Sequence, residues 1–439
     1  MINSLAKKDL QLIWHPCAQM KEYEYYPPLE IHQALGSEIE LRNGKKIIDA
    51  ISSWWCKLLG HNHPRLKKVI TQQIEKFEHV MFAHTTNEPI VQLSLQLIRL
   101  TNGLNKVFYA GDGSCAVEIA MKMCWQARQI SGDHKRHLFV ALTNGYHGET
   151  LGALSVSDVG LYRKSFQDLL FETQFIPHVP YVSGVKDPLW SDCELIWKET
   201  EKYLEPMSER ITAIILEPIV QGGGGMKIYS CDWLRRLRKW TQDRGIYLIA
   251  DEIMTGIGRT GKMLACDYAN IEPDFLCLGK GLTSGWMPFS AILTKQSIYD
   301  LFYANYEDNK SFLHSHTFSG HVLGACVANE VLNIFSENHI LDSIPSLNEA
   351  MLDMMHEIAK NTGNLSDVRG IGAMVAAEVK GYNGSTRFAC EFAKRAAEYG
   401  VLLRPLGSTL YWLPPLNIEY DQLCKIQEVS WTVLKELVS

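Results

Sequence analysis

The 439 residues predict an α/β protein, with a large domain built on a mostly parallel sheet covered by helices and a smaller α+β domain beside it. Two observations carry that expectation. Between residue 71 and about residue 330, short apolar runs recur, each followed by a turn and in several cases by a segment of helical periodicity. These runs are continuously apolar rather than alternating, as strands buried on both faces are.

Taken in order, residues 1–70 hold short apolar runs broken by Pro27-Pro28 and Asn43-Gly44, which reads as turns and short strands without a core of their own. We expect this segment to pack with the smaller domain. Its most apolar point is Ile51-Ser52-Ser53-Trp54-Trp55. Adjacent tryptophans suit a core, and their indole faces also suit the wall of a ligand pocket. His61 and His63 follow, alternate in sequence but without a third ligand nearby, so no metal site is expected. Residues 71–330 form the expected large domain, with strands at Val107–Ala110, Leu138–Leu142, Ala213–Leu216, Tyr247–Ala250, Phe275–Leu278 and Phe289–Leu293. A helix is expected over Asp232–Arg244, capped by Asp232 and ended by Gly245, with Trp233, Leu234, Leu237 and Trp240 on one face. Residues 331–439 form the smaller domain, helical first, then strands and turns around Gly370, Gly372 and Leu403–Gly407.

Composition narrows the partners. At 46% hydrophobic and 21% charged residues the chain is an ordinary globular one, and a formal net charge of -6 with no basic run offers nucleic acid nothing to hold. Eleven cysteines, an odd number with no Cys-x-x-Cys pair, argue against a disulfide framework and for a cytoplasmic protein. No apolar stretch reaches 18 residues and Met1–Trp14 lacks a signal-like core, so neither membrane nor export is expected. Small-molecule chemistry is what remains.

Several stretches are suited to it. Gly111-Asp112-Gly113-Ser114-Cys115-Ala116 lies between a strand and a helix running to about Arg128, where backbone N–H groups and a hydroxyl can hold a phosphate. The same letters fit a dinucleotide fingerprint, the mark of an NAD-dependent dehydrogenase. However, the next strand ends in Thr143-Asn144 rather than in the acid that would hold a ribose. Gly256–Met263 resembles a phosphate-binding P-loop but ends in Met263, which has no hydroxyl for magnesium. Tyr247–Glu252 is an apolar strand ending in carboxylates, and Asp251 there would either cap the next segment or pair with a buried cation. Lys280 closes the run Leu276-Cys277-Leu278-Gly279 and is followed by Gly281. It is either a lysine in a surface turn or a partly desolvated amine able to attack a carbonyl. Tyr146 and His147, at another strand end, could stack on a planar ligand, and Thr317 of Ser315-His316-Thr317 could add a hydroxyl to a phosphate site. Arg404 beside Pro405 has the fork that a carboxylate accepts, though a lone arginine is as readily a solvated one.

A phosphate cradle, a strand-end aspartate, a stacking tyrosine and a strand-end lysine are the parts that pyridoxal phosphate requires. In order and spacing the chain resembles the class III aminotransferases over almost its whole length, from Trp14-His15-Pro16 to Leu413-Pro414-Pro415. The resemblance is carried by Ser53-Trp54-Trp55, Gly113–Glu118, Asn144–Gly148, Glu217–Gly222, Asp251-Glu252 with Thr255–Gly261, and Arg404–Gly407. It implies a fold-type I enzyme, a homodimer, with Lys280 as the lysine that holds the cofactor and moves the proton. It further implies Gly113 and Ser114 at the phosphate, with His316 and Thr317 reaching it from the partner subunit, and Asp251 at the pyridinium nitrogen. Tyr146 then lies beside ring and substrate, and Trp54, Ser315 and Arg404 contact substrates, Arg404 taking the keto acid's carboxylate. Two positions depart from the family pattern: Cys17 stands where an aromatic is expected near the substrates, and Ser315-His316 precede Thr317 where Gly-Pro is expected. Both bear on the amino donor. Trp54-Trp55 resembles members that use S-adenosylmethionine; lysine and ω-amino acids are the alternatives.

Overall fold

In the computed structural model, which describes residues 5–381 and 387–438, the apolar runs in the middle of the chain pair into one seven-stranded sheet. Its strands are β1 (Leu104–Ala110), β2 (Leu138–Leu142), β3 (Thr173–Ile176), β4 (Ile211–Leu216), β5 (Tyr247–Asp251), β6 (Phe275–Leu278) and β7 (Ser290–Lys295), in the spatial order β1-β7-β6-β5-β4-β2-β3. The pairs from β3 across to β6 are parallel. Strand β7 runs antiparallel to both β6 and β1. The reason is local: residues 279–289 between β6 and β7 contain only the 3-10 turn Lys280–Thr283, too little chain for the crossover a parallel partner needs. Six of the seven strands are the six apolar runs of the sequence. β3 is the exception, an edge strand with two polar residues among four and a half-buried pattern.

β2 and β4 are buried along their whole length. Helix Gly113–Ile130 packs Val117, Ala120 and Cys124 into the cluster that includes Ile215, Ile249 and Phe275. Each large side chain hidden there contributes roughly 1.5–3 kcal/mol. The amphipathic helix expected over Asp232–Arg244 spans Cys231–Asp243, and its cap is Ser230 rather than Asp232. The Ser230 hydroxyl accepts from the Trp233 N–H, while Asp232 sits inside the first turn and holds Arg235 and Arg236 by ion pairs. The P-loop-like stretch is neither strand nor helix. Its Arg259 is buried and donates to the Ala373 carbonyl, under a close approach of Gly372.

The chain divides into two compact units, one of Pro64–Asn348 with Arg369–Ala373, the other of Met1–His63, Glu349–Val368 and Met374–Ser439. In the second unit the strands Ile31–Leu35, Glu38–Leu41, Lys46–Asp49 and Val401–Leu402 form a four-stranded sheet. Val375–Val379 pairs antiparallel with Thr409–Trp412. Helix Tyr420–Val438 buries Leu423, Ile426, Val429 and Val433 on one face. Among the described residues no helix is long and apolar enough to cross a membrane.

Candidate active site

Two strand ends and one helix start converge in the larger unit. Gly113 opens helix Gly113–Ile130, with the Asp112 side chain accepting from the Cys115 N–H as its cap. The helix start leaves backbone N–H groups free for an anion. A Cβ on Gly113 would lie 2.9 Å from Ile253, just beyond β5. A Cβ on Gly279, at the end of β6, would lie 3.3 Å from Ile253 and 3.8 Å from the Gly113 Cα. The backbone leading into Lys280 therefore passes against the start of that helix, and Lys280 itself takes a left-handed conformation at φ 37°. Gly148, at φ 127°, brings the strand-end loop of β2 over the same helix start: a Cβ there would sit 2.2 Å from the Ser114 hydroxyl.

Asp251, the last residue of β5, is buried and does not stand alone. One carboxylate oxygen accepts from the Ile253 N–H at 3.1 Å, and the other lies 2.8 Å from His147 Nδ1. His147 is itself buried, its N–H donating to Asp251, its backbone held by the Ser157 hydroxyl, and its Nε2 without a hydrogen-bond partner. Beside the pair lies Glu217, whose two oxygens accept from the N–H groups of Tyr146 and Gly222. Burial pushes its carboxyl up to about 7, against the pull of His147 and those two donors, with Asp251 adding to the rise. Tyr146 is thus fixed through its backbone, while its hydroxyl donates to Glu149 and its ring meets Tyr162 edge-on at 6.1 Å.

The second unit holds a separate group. Ser52, Ser53, Trp54 and Trp55 have φ of 51°, 44°, 69° and 75°, a full left-handed turn without a glycine. Such backbone costs about 1–2 kcal/mol per residue, so the turn persists only where its surroundings impose it. Asp49 supplies much of that: one carboxylate oxygen accepts from the Ser53 N–H at 3.0 Å, the other from the Ser53 hydroxyl at 2.7 Å and from His61 Nε2 at 2.9 Å. Burial pushes the Asp49 carboxyl up, yet these bonds outweigh it and leave it below the ordinary value. The Ser52 hydroxyl donates to the Leu413 carbonyl and Trp55 Nε1 to the Tyr411 hydroxyl. Of the two tryptophans, Trp55 is therefore core, at 4% exposure, and Trp54 presents its ring, at 42%. The Arg404 guanidinium stacks over that ring at 4.6 Å and donates to the Cys17 carbonyl at 2.7 Å. Cys17, Trp54 and Arg404, distant in sequence, meet in one cluster.

Ser315, His316 and Thr317 lie on the loop before helix Val322–Glu337. His316 meets His314 at 3.0 Å between Nε2 atoms, its N–H donates to Ser319, and the Thr317 carbonyl accepts from His79. No hydrogen bond, ion pair or ring contact joins these three residues to Gly113, Ser114, Asp251 or Lys280 within the described chain. Of two side chains at the centre of the site, the sequence offered His147 only as a stacking ring for a planar ligand and gave Glu217 no role. Both stood inside the motifs that carry the resemblance; the missing signal was burial, which only the fold supplies.

The Aminotransferase class-III family model matches residues 19–431, and the chain belongs to that family of pyridoxal-phosphate-dependent enzymes. It is an aminotransferase. The chain is 38% identical over 438 residues to the adenosylmethionine-8-amino-7-oxononanoate aminotransferase of Helicobacter pylori, covering 99% of this chain and 98% of that one. Against the enzyme of the same name from Aquifex aeolicus it is 35% identical, with 99% and 98% covered. Among solved structures, the adenosylmethionine-8-amino-7-oxononanoate aminotransferase of Methanocaldococcus jannaschii superposes with a TM-score of 0.91 at 33% identity, covering 98% of each chain. An omega transaminase of Pseudomonas jessenii gives 0.88 at 26% identity, over 99% of this chain and 98% of that one. The family is one of pyridoxal-phosphate-dependent aminotransferases, not of NAD-dependent dehydrogenases.

The residues present fit pyridoxal phosphate. A cradle that a Cβ at Gly113 or Gly148 would fill, a lysine against it, and a buried carboxylate able to face a ring cation are the donor set the cofactor requires.

Proposed function

We propose that this chain moves an amino group onto 8-amino-7-oxononanoate, giving 7,8-diaminononanoate in biotin biosynthesis, with S-adenosylmethionine as donor. The observation that carries the reading is the joint arrangement of Lys280 against the Gly113 cradle and Asp251 paired with His147, in a chain whose full-length relatives bear that enzyme name. The cofactor supplies the electron sink and carries the nitrogen from one substrate to the other. In this reading Gly113 and Ser114 hold its phosphate, Asp251 faces its ring nitrogen, and Tyr146 lies beside the ring. His147 keeps Asp251 oriented. Lys280 holds the cofactor and moves the proton at the substrate carbon. Arg404 takes the keto acid's carboxylate, with Trp54, Ser315 and Cys17 beside the substrates.

The cycle is ping-pong: the donor leaves its nitrogen and departs as a carbonyl compound before the ketone enters. We further propose a cytoplasmic homodimer, in which His316 and Thr317 serve the phosphate of the partner subunit. The contacts of Thr317 support this, since its carbonyl is engaged by His79 while the residue remains exposed. Light scattering that gives the mass of a single chain would refute the dimer. For the reaction, the purified holoenzyme is mixed in turn with S-adenosylmethionine, lysine and an ω-amino acid, and the cofactor's visible band is followed. Loss of the band with S-adenosylmethionine is the expected result. A response to lysine or to the ω-amino acid alone would move the assignment to that donor.

A further inference from the structure

We infer that Asp49 is a positioning residue for the keto acid: it clamps the left-handed turn Ser52–Trp55 so that Trp54 holds Arg404 in place. The inference rests on the reading of Arg404 as the carboxylate-binding residue. Three features of the geometry lead to it. First, the turn opposes the intrinsic preference of four consecutive side-chain-bearing residues, all at positive φ, so something outside it must hold it. Second, the Asp49 carboxylate is fully buried, and all its side-chain bonds go to His61 and to the turn or its entrance: Ser53 through N–H and hydroxyl, and the Ile51 N–H at 3.4 Å. His61 is pinned in turn, its N–H and carbonyl both bonded to Gly36. Third, the turn separates the two indoles, sending Trp55 to Tyr411 and leaving Trp54 under the Arg404 guanidinium.

A continuous line of contacts therefore runs from His61 through Asp49, Ser53 and Trp54 to Arg404 and the Cys17 carbonyl. An arginine binds a carboxylate by a planar fork, and that fork is useful only if the plane is held. Stacking on the Trp54 ring fixes the plane, and the Cys17 carbonyl occupies one terminal nitrogen at its edge. An asparagine at position 49 would keep the shape but set an NH2 group against one of the donors now facing a carboxylate oxygen. The turn would loosen and the Arg404 fork would lose its fixed orientation.

The test is titration of the enzyme in its pyridoxamine-phosphate form, freed of amino donor, with 8-amino-7-oxononanoate to obtain an apparent Kd, alongside steady-state rates. Asp49→Asn is expected to raise Kd and KM about tenfold with kcat changed less than about twofold, roughly 1.4 kcal/mol by the standard conversion. Arg404→Ala should raise them at least as much, and Asp49→Asn added to Arg404→Ala should add nothing further, because both act through one guanidinium. An unchanged Kd in Asp49→Asn beside a raised one in Arg404→Ala overturns the inference and leaves the Arg404 reading intact. Independent, additive effects also overturn it, since a merely structural Asp49 would behave so. An unchanged Kd in Arg404→Ala removes the reading on which the inference rests. Should Asp49→Asn fail to fold, Ser53→Ala, which deletes only the 2.7 Å hydroxyl bond, carries the same test with an expected rise of about threefold; no rise in that variant counts against the clamp.

Discussion

At the scale of single residues the site depends on atoms that are missing as much as on those present. Gly148 shows this best. Its φ of 127° lies where L side chains rarely go, and a Cβ would sit 2.2 Å from the Ser114 hydroxyl. Gly148→Ala should push Ser114 out of the cradle and weaken cofactor binding by at least about tenfold, roughly 1.4 kcal/mol. Dialysis to the apoenzyme followed by titration with pyridoxal phosphate measures this; retained affinity would mean that Ser114 does not hold the phosphate. Lys280, Asp251, Gly113 and Ser114 stood out as candidates in the sequence because each lies at a strand end or a helix start, which local patterns mark, and Tyr146 because it lies in a short motif after a strand. Glu217 was given no role and His147 only that of a stacking ring, because what gives them meaning is a partner far along the chain: Asp251 for His147, the Tyr146 N–H and the buried surroundings for Glu217.

At the scale of elements, the strands of the large sheet other than β3 and the helix Cys231–Asp243 followed their sequence signals, while the irregular segments did not. The amphipathic helix Cys231–Asp243 differs from expectation mainly in its cap, because Ser230 and Asp232 are both good cap residues and only the backbone path chooses between them. The stretch Thr255–Met263 imitates a P-loop in letters, yet its backbone lies packed beneath Gly372. There a Cβ would be 2.2 Å from the Thr260 carbonyl carbon and 2.4 Å from the Arg259 oxygen, at a φ of 58°. Neither atom can move without shifting the loop. Gly372→Ala should therefore destabilise the larger unit by more than about 2 kcal/mol, as strain at a special φ combines with backbone overlap. A thermal melt checks it, and a melting temperature within a degree of the parent's would refute it. The left-handed turn Ser52–Trp55 had no sequence signal at all, since Ser-Ser-Trp-Trp contains no residue that favours positive φ.

At the scale of the whole molecule, buried carboxylates make stability depend on pH. Glu252 accepts from the N–H groups of Ala265 and Cys266, but burial outweighs them and pushes its carboxyl up to about 7. A raised carboxyl binds a proton in the folded state that the unfolded chain has already released. Its contribution is therefore complete below the ordinary glutamate value of about 4.5 and is lost as pH rises through about 7, by up to ~1.4 kcal/mol per pH unit. Melting temperature should fall across that window, and Glu252→Gln should flatten the fall; an unchanged slope would show that Glu252 is ionised throughout. Glu217 acts in the same direction, so the flattening in this variant is partial. The sequence by itself determined the alternation of strands and helices, the family and the cofactor, and it singled out the lysine, aspartate and glycines proposed to hold that cofactor. All of these are set by local periodicity and by short motifs. Only the tertiary structure decided that β7 reverses, that Asp251 is buried against His147, that Trp55 is core while Trp54 carries Arg404, and that Asp49 holds a left-handed turn. Each of these depends on groups far apart in the chain whose burial and bonding exist only once the backbone has brought them together.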